Sequence, residues 1–211
     1  SFRLKVTQEA ELKALVKDAE LSWLKLQVNP HFLFNSLNSV SSLTMSSPEK
    51  AQEMITRLSE LLRYSLKQSP DSMVTLKDEI DNCTKYLEIE KVRFGKRLEY
   101  NLEIPADLLD SSVPSMIMQP LFENAIKHSV AQSAETSYIE ADISRDRFGL
   151  VIKVSNTLPE YPSSAKGTGV GLENIKRRLT LIYGLEGLID VLKSESNFTV
   201  TLRIPLNSIE Q

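Results

Sequence analysis

The chain has two histidines, and the first, His31, sits in "LQVNPHFLFNSLN" directly after Pro30. A neutral imidazole nitrogen is a competent nucleophile near neutral pH, because a pKa of about 6.5 leaves its lone pair free. Asn35 follows one helical turn later, where its amide could orient the ring or a water molecule. Inside a helix, proline costs roughly 3 kcal/mol or more, since it removes a donor and clashes one turn back. The run is therefore expected to kink at Pro30, leaving the Leu26 carbonyl unpartnered and the backbone open around His31. A second stretch, "QPLFENAIKHS", puts Asn124, Lys127 and His128 on one helix face. The amide oxygen of Asn124 suits Mg2+, an ion that prefers oxygen donors and keeps waters and nucleotide phosphates around it. Lys127 beside it could neutralise phosphate. A third stretch, "GTGVGL", runs from Gly167 through Thr168, Gly169 and Gly171 to Leu172, just before a helical pattern. Glycines there let backbone N–H groups approach phosphate oxygens, and the helix start favours an anion. The segment lacks the Gly-Lys-Ser/Thr of a P-loop and does not fit a dinucleotide fingerprint. Each stretch alone has a plainer alternative: a structural histidine, a solvated helix face, a turn.

The elements that must carry these residues fall into two halves. Six of the seven glycines follow residue 148, and the first 94 residues have none. A boundary is therefore expected near Gly95, with long helices in 1–94 and mixed strands and helices in 95–211. In the first half, Leu12, Leu15, Ala19, Ser22, Trp23 and Leu26 form one stripe, which resumes with Phe34, Leu37 and Ser41. A second helix starts at Ser47 as N-cap, Pro48 and Glu49, with Met54, Leu58, Leu61, Leu62 and Leu66 as its apolar face. Thr75 is the expected cap of a third, with Asp78 as the weaker form of a capping box. Two long helices cannot bury both faces alone, so this half is expected to pair with a second copy as a bundle. In the second half, 97–104, 137–146 and 148–156 read as strands, and 113–130 as a helix interrupted or entered at Pro120. A helix closed by Gly184 and a hairpin over 188–206 follow. The order indicates an α+β sandwich with helices on one sheet face.

A net charge of -3 and a pI near 5.6 give no sign of a nucleic-acid surface. One cysteine, Cys83, excludes an internal disulfide and supports no zinc cluster. No apolar run approaches the roughly 18 residues needed to span a bilayer. The chain opens on Ser1 rather than Met, which suggests a piece of a longer protein.

Together and in this order, "LQVNPHFLFNSLNSV", "IMQPLFENAIKHS" and "GTGVGLENIKRRLTLIYG" closely resemble the LytS-like branch of sensor histidine kinases, over essentially the whole chain. The resemblance implies an N-terminal long-helix dimerisation hairpin or bundle followed by a Bergerat-type α/β sandwich. It implies that His31 is the phosphoacceptor and that Asn124 binds the metal of Mg2+-ATP. It further implies that Lys127, His128, Asn156, Gly167, Thr168, Gly169, Gly171 and Leu172 line the nucleotide site. The implied partners are a second copy of the chain and a response regulator of LytTR type. The implied location is the cytoplasmic part of a membrane sensor, held in the membrane by a segment outside this chain. The sequence also departs from the family. Asn156 stands where many members have an Asp for the adenine amino group, and Leu158 and Glu160 occupy glycine positions of that box. Pro120 stands one turn before Asn124, where many relatives have a polar residue, and Glu123 is left as a water or metal-shell contact. Phe32 follows His31 where an acidic residue is common. The alternative is a degenerate kinase that acts as a dimeric scaffold, regulator-binding or phosphatase module, the last with Asn35 orienting water.

Overall fold

The computed structural model describes residues 29–69, 72–159 and 170–205. The stripe from Leu12 to Leu26, Glu160, and the loop with Gly167, Thr168 and Gly169 lie outside them. The chain divides into two compact units, Ser1–Pro70 and Asp71–Gln211.

In the first unit, α1 (Pro30–Ser46) and α2 (Pro48–Lys67) form a hairpin joined by Ser47 alone. The expected kink at Pro30 is corrected here. Asn29 is extended, with φ -64° and ψ 107°, and its side chain caps the helix, so Pro30 is the first helical residue. At that position the missing N–H would have had no intrahelical partner, and the fixed φ suits the first turn. Ser47 stands at the N-cap of α2 but makes no side-chain cap bond. Phe32, Ser36 and Val40 form the buried row of α1, against Ala51, Met54, Leu58, Leu61 and Ser65 of α2. The expected stripe of Phe34, Leu37 and Ser41 lies on the open side of α1: Phe34 is 67% and Leu37 49% exposed. Apolar residues occupy two faces of α1, and α2 covers the one centred on the small Ser36. The buried Ser36 and Ser65 hydroxyls donate to the Phe32 and Leu61 carbonyls, at 2.8 and 3.0 Å, which satisfies them inside the hairpin.

The second unit opens with β1 (Met73–Thr75) and α3 (Leu76–Phe94). Thr75 caps α3 as expected, its hydroxyl accepting from the Asp78 N–H at 3.1 Å. Sequence reading assigned this helix to the first 94 residues, whereas the compact unit here begins at Asp71. The reason is packing: Leu76, Ile80, Cys83, Leu87 and Ile89 are buried, and α3 lies against β1, β2 and α4. After β2 (Leu98–Glu103) comes β3 (Ser112–Pro114), which pairs antiparallel with β1. The helix expected over 113–130 is shorter: α4 spans Gln119–His128 and is entered at Pro120. Between β3 and α4 the chain turns through Met116, whose φ of 56° lies in the left-handed region. Then follow β4 (Ser137–Arg145), β5 (Gly149–Thr157), α5 (Val170–Tyr183), β6 (Ile189–Lys193) and β7 (Asn197–Pro205).

The main sheet has the order β2-β4-β5-β7-β6, with β2 and β4 parallel and the other pairs antiparallel. Ile139, Ala141, Ile143, Ile152, Val154, Val200 and Leu202 alternate onto its buried face, while Glu140, Asp142, Lys153 and Arg203 point to solvent. Helix α4 crosses β4 and β5 with Leu121, Phe122, Ala125 and Ile126 buried, and α5 lies beside α4. Burying Phe122 completely contributes roughly 1.5–3 kcal/mol. The α+β order and the one-sided sandwich are as the sequence indicated.

Candidate functional site

In the first unit, the order Asn29-Pro30-His31-Phe32 reads as cap followed by the first three helical residues. The Asn29 side chain accepts from the N–H groups of His31 at 3.1 Å and Phe32 at 3.3 Å. The exposed His31 ring therefore projects from a fixed first turn. Asn35 Nδ2 lies 3.2 Å from Nδ1 and 3.1 Å from Nε2 of that ring. The two ring nitrogens direct their lone pairs apart, so one amide cannot be in line with both. The contact orients the ring and leaves a nitrogen open.

In the second unit, α4 is held by a residue the sequence reading passed over. Met118 at its N-cap supplies no side-chain cap. Glu79 of α3, fully buried, fills that place from another helix, accepting from the N–H groups of Met116 at 2.6 Å and Met118 at 3.1 Å. Gln119 extends the link, with Oε1 accepting from Asn82 Nδ2 at 2.9 Å and Nε2 donating to Glu123 Oε1 at 2.8 Å. Glu123 thus bonds on the Gln119 side of α4, and its charge acts on Cys83, Tyr86 and Glu90 of α3. Asn124 and Lys127 lie on the outer arc of α4, half-buried and exposed respectively. His128 ends the helix, its pKa held below the usual value by burial first and then by the charges of Lys127 and Lys193.

Asn156 is buried near the end of β5, the strand under α4. Its Nδ2 donates to the Thr157 carbonyl at 2.9 Å, which turns the amide oxygen into the free end. Gly171 lies exposed in the first turn of α5, and a Cβ there would meet nothing within 4 Å. Glycine in a helix costs about 1 kcal/mol relative to alanine, and no packing inside the described chain requires it at 171. Leu172 is half-buried beside it. Asn124, Lys127, His128, Asn156, Gly171 and Leu172 all belong to the second unit, while His31 and Asn35 belong to the first. Among the described residues no three His, Cys, Asp or Glu side chains cluster to hold a metal; Asn124 offers one half-buried amide oxygen of the kind Mg2+ accepts.

Residues 19–98 match the family model described as Histidine kinase. The chain is 34% identical over 206 residues to the sensor histidine kinase BtsS of Escherichia coli K12, covering 97% of this chain and 36% of that protein. It is 31% identical over 223 residues to the sensor protein LytS of Staphylococcus epidermidis, covering all of this chain and 38% of that one. This chain belongs to the histidine kinases. It spans little more than a third of the length of those relatives. The solved Acinetobacter baumannii histidine kinase AdeS matches with a TM-score of 0.48 at 15% identity, over 78% of this chain and 82% of that one. The relation therefore rests on sequence. Among the described residues, no helix is long and apolar enough to cross a membrane.

Within this histidine kinase, the sequence alone does not point to Glu79 as the anchor of α4 or to the charge of Lys193 acting on His128. Glu79 was visible only as the residue after a capping position. Lys193 becomes visible through register: Asn156 pairs with Phe198, and Phe198 with Lys193.

Proposed function

We propose that the chain is the kinase region of a two-component sensor, which phosphorylates its own His31 from ATP and passes the group to an aspartate of a response regulator. The observation that carries this reading is the His31 first turn: an exposed imidazole on a capped helix end, with Asn35 against the ring. ATP would supply the γ-phosphoryl group, and Mg2+, which Asn124 would help to hold, would offset the phosphate charge. His31 brings a ring nitrogen whose lone pair forms the N–P bond as the bond to the departing ADP oxygen breaks. Lys127 offsets phosphate charge, the Asn156 oxygen accepts from the base amino group, and the α5 start with Gly171 admits phosphate close to backbone N–H groups. The positive end of α1 favours the negative charge that His31 acquires. In the second transfer the N–P bond breaks and an O–P bond forms on the regulator aspartate.

Phe34, Leu37, Met45, Ile55 and Leu66 leave a second apolar face on the hairpin exposed, which suits pairing with a second copy. A LytTR-type regulator and an anchoring membrane segment outside this chain complete the proposal. Incubation with γ-labelled ATP and Mg2+ should give an acid-labile, alkali-stable label that His31→Gln abolishes. Equal labelling of the variant would show that the acceptor lies elsewhere. The altered box, with Asn156 in place of the family's Asp and Leu158 and Glu160 at its glycine positions, favours one second reading, a degenerate module with weak nucleotide binding. Calorimetry that detects no ATP binding at millimolar nucleotide would select it.

A further inference from the structure

Four strands of the main sheet place Ile139, Asn156, Phe198 and Lys193 in one cross-strand row, in that order. The row lies at the end of the sheet where β5 finishes, β7 begins and β6 finishes. Its members share the helix-side face with the buried residues two positions along, Ala141, Val154 and Val200. The β6–β7 turn is closed on itself, the Ser194 N–H donating to the Asn197 carbonyl at 2.9 Å and the Asn197 N–H to Ser194 Oγ at 3.0 Å. It is also tied to the start of the loop after β5, since the Leu158 N–H donates to the Ser196 carbonyl at 2.7 Å. Lys193 is therefore fixed at its backbone, two strand spacings or roughly 10 Å from Asn156, with an exposed side chain. Its charge, like that of Lys127, is felt at His128 on α4.

We propose that Lys193 is a nucleotide-binding residue, its ammonium holding the phosphate nearest the sugar of a nucleotide whose base lies against Asn156 and His128. This rests on the reading of the second unit as an ATP site and assigns it a residue outside the three motif stretches. The chemistry is complementary along the row. Asn156 offers an acceptor for a base amino group, Phe198 a flat apolar surface, and Lys193 only donors and a positive charge. The charges of Lys127 and Lys193 both act, after burial, to lower the pKa of the half-buried His128, and a bound phosphate would offset them. A lysine that merely discouraged edge pairing of β6 would serve equally well at Leu192, on the open face; this one is on the face that carries Asn156.

Calorimetric titration of the 211-residue chain with Mg2+-ATP, AMP and adenosine tests the assignment, comparing wild type with Lys193→Ala and Lys193→Arg. Lys193→Ala should weaken ATP and AMP about fivefold, as expected for a partly exposed charge pair. Adenosine affinity should be unchanged, and Lys193→Arg should recover most of the loss. Without nucleotide, the His128 ring signal in NMR should titrate at higher pH in Lys193→Ala than in wild type. Unchanged ATP and AMP affinity in Lys193→Ala overturns the assignment while leaving the ATP site intact, and so does an equal loss for adenosine. Wild type that binds no nucleotide at millimolar concentration overturns the ATP reading and this assignment together.

Discussion

Replacing Glu79 by alanine removes the carboxylate that holds the start of α4, and the structure sets the scale of the loss. Glu79 is fully buried and accepts from two backbone N–H groups, at 2.6 Å from Met116 and 3.1 Å from Met118. A hydrogen bond to a charged group contributes about 1.5–3 kcal/mol, and a buried donor left without a partner costs about 1–3 kcal/mol. Alanine orphans both donors next to a residue already strained at φ 56°. Glu79→Ala should therefore lose about 3–5 kcal/mol, a large share of the roughly 5–15 kcal/mol that stabilises an ordinary domain. Glu79→Gln retains one acceptor oxygen but turns an amide NH2 toward the other donor, so about half that loss is expected. Urea unfolding followed by circular dichroism reads both losses, with the m-value constant if only stability has changed. Because α4 carries Asn124 and Lys127, folded Glu79→Gln should also bind ATP more weakly at temperatures well below its melting point. A Glu79→Ala midpoint within about 0.5 kcal/mol of wild type, the scale of an ordinary surface substitution, would refute the capping argument.

Asn29→Ala should lose about 1 kcal/mol of hairpin stability through the two cap bonds, whereas Pro30→Ala should change it by no more than about 1 kcal/mol; thermal melts of both variants decide. Glu90 is buried, and desolvation, aided by Glu123 and opposed by Arg93 and Tyr86, raises its folded pKa above 4.5. The folded state then binds the proton more tightly, so the cost of the buried carboxylate is full above the folded pKa and fades as pH falls toward 4.5. Glu90→Gln should thus compare best with wild type at neutral pH and lose that advantage on acidification; a difference constant with pH in urea titrations would contradict the argument. Asn156→Asp should destabilise the nucleotide-free chain by about 1–3 kcal/mol, because an ionised carboxylate cannot donate to the Thr157 carbonyl. An Asp variant as stable as wild type would show that bond to be dispensable.

What the sequence revealed was local. Thr75 capping α3, the turn closed by Asp146 before Gly149 and the left-handed Gly184 after α5 each follow from residues within one turn. What it hid depended on distant partners. The run 113–130 looks helical throughout, but its first residues pair with β1 and its turn is pinned by Glu79, 37 positions earlier in the bond to Met116. Glycine content separated 1–94 from 95–211, yet glycine content does not decide where a helix packs, and α3 buries its face in the second unit. The same limit applies to the site. Asn124, Lys127 and His128 were legible because one helix spaces them, whereas Lys193 joins Asn156 only through the register of three strands.

Pro30 shows how a correct local observation can carry the wrong mechanism. A kink would present His31 from strained, partly opened backbone, and its position would vary as the kink flexed. A proline at the first helical residue does the reverse: its fixed φ and the two bonds to Asn29 hold the first turn in one conformation. His31 then stands at the end of a helix rather than along its side. The ring is exposed there with the hairpin closed. Under the proposed function, an acceptor that meets a nucleotide in one step and an aspartate in the next would need an exposed ring of this kind. The same end carries the positive pole of the helix, which would favour a phosphoryl charge on the ring by roughly 0.3–1 kcal/mol. The proline and the histidine are adjacent because both belong to the beginning of α1, and the readable sign of it was the asparagine that precedes them.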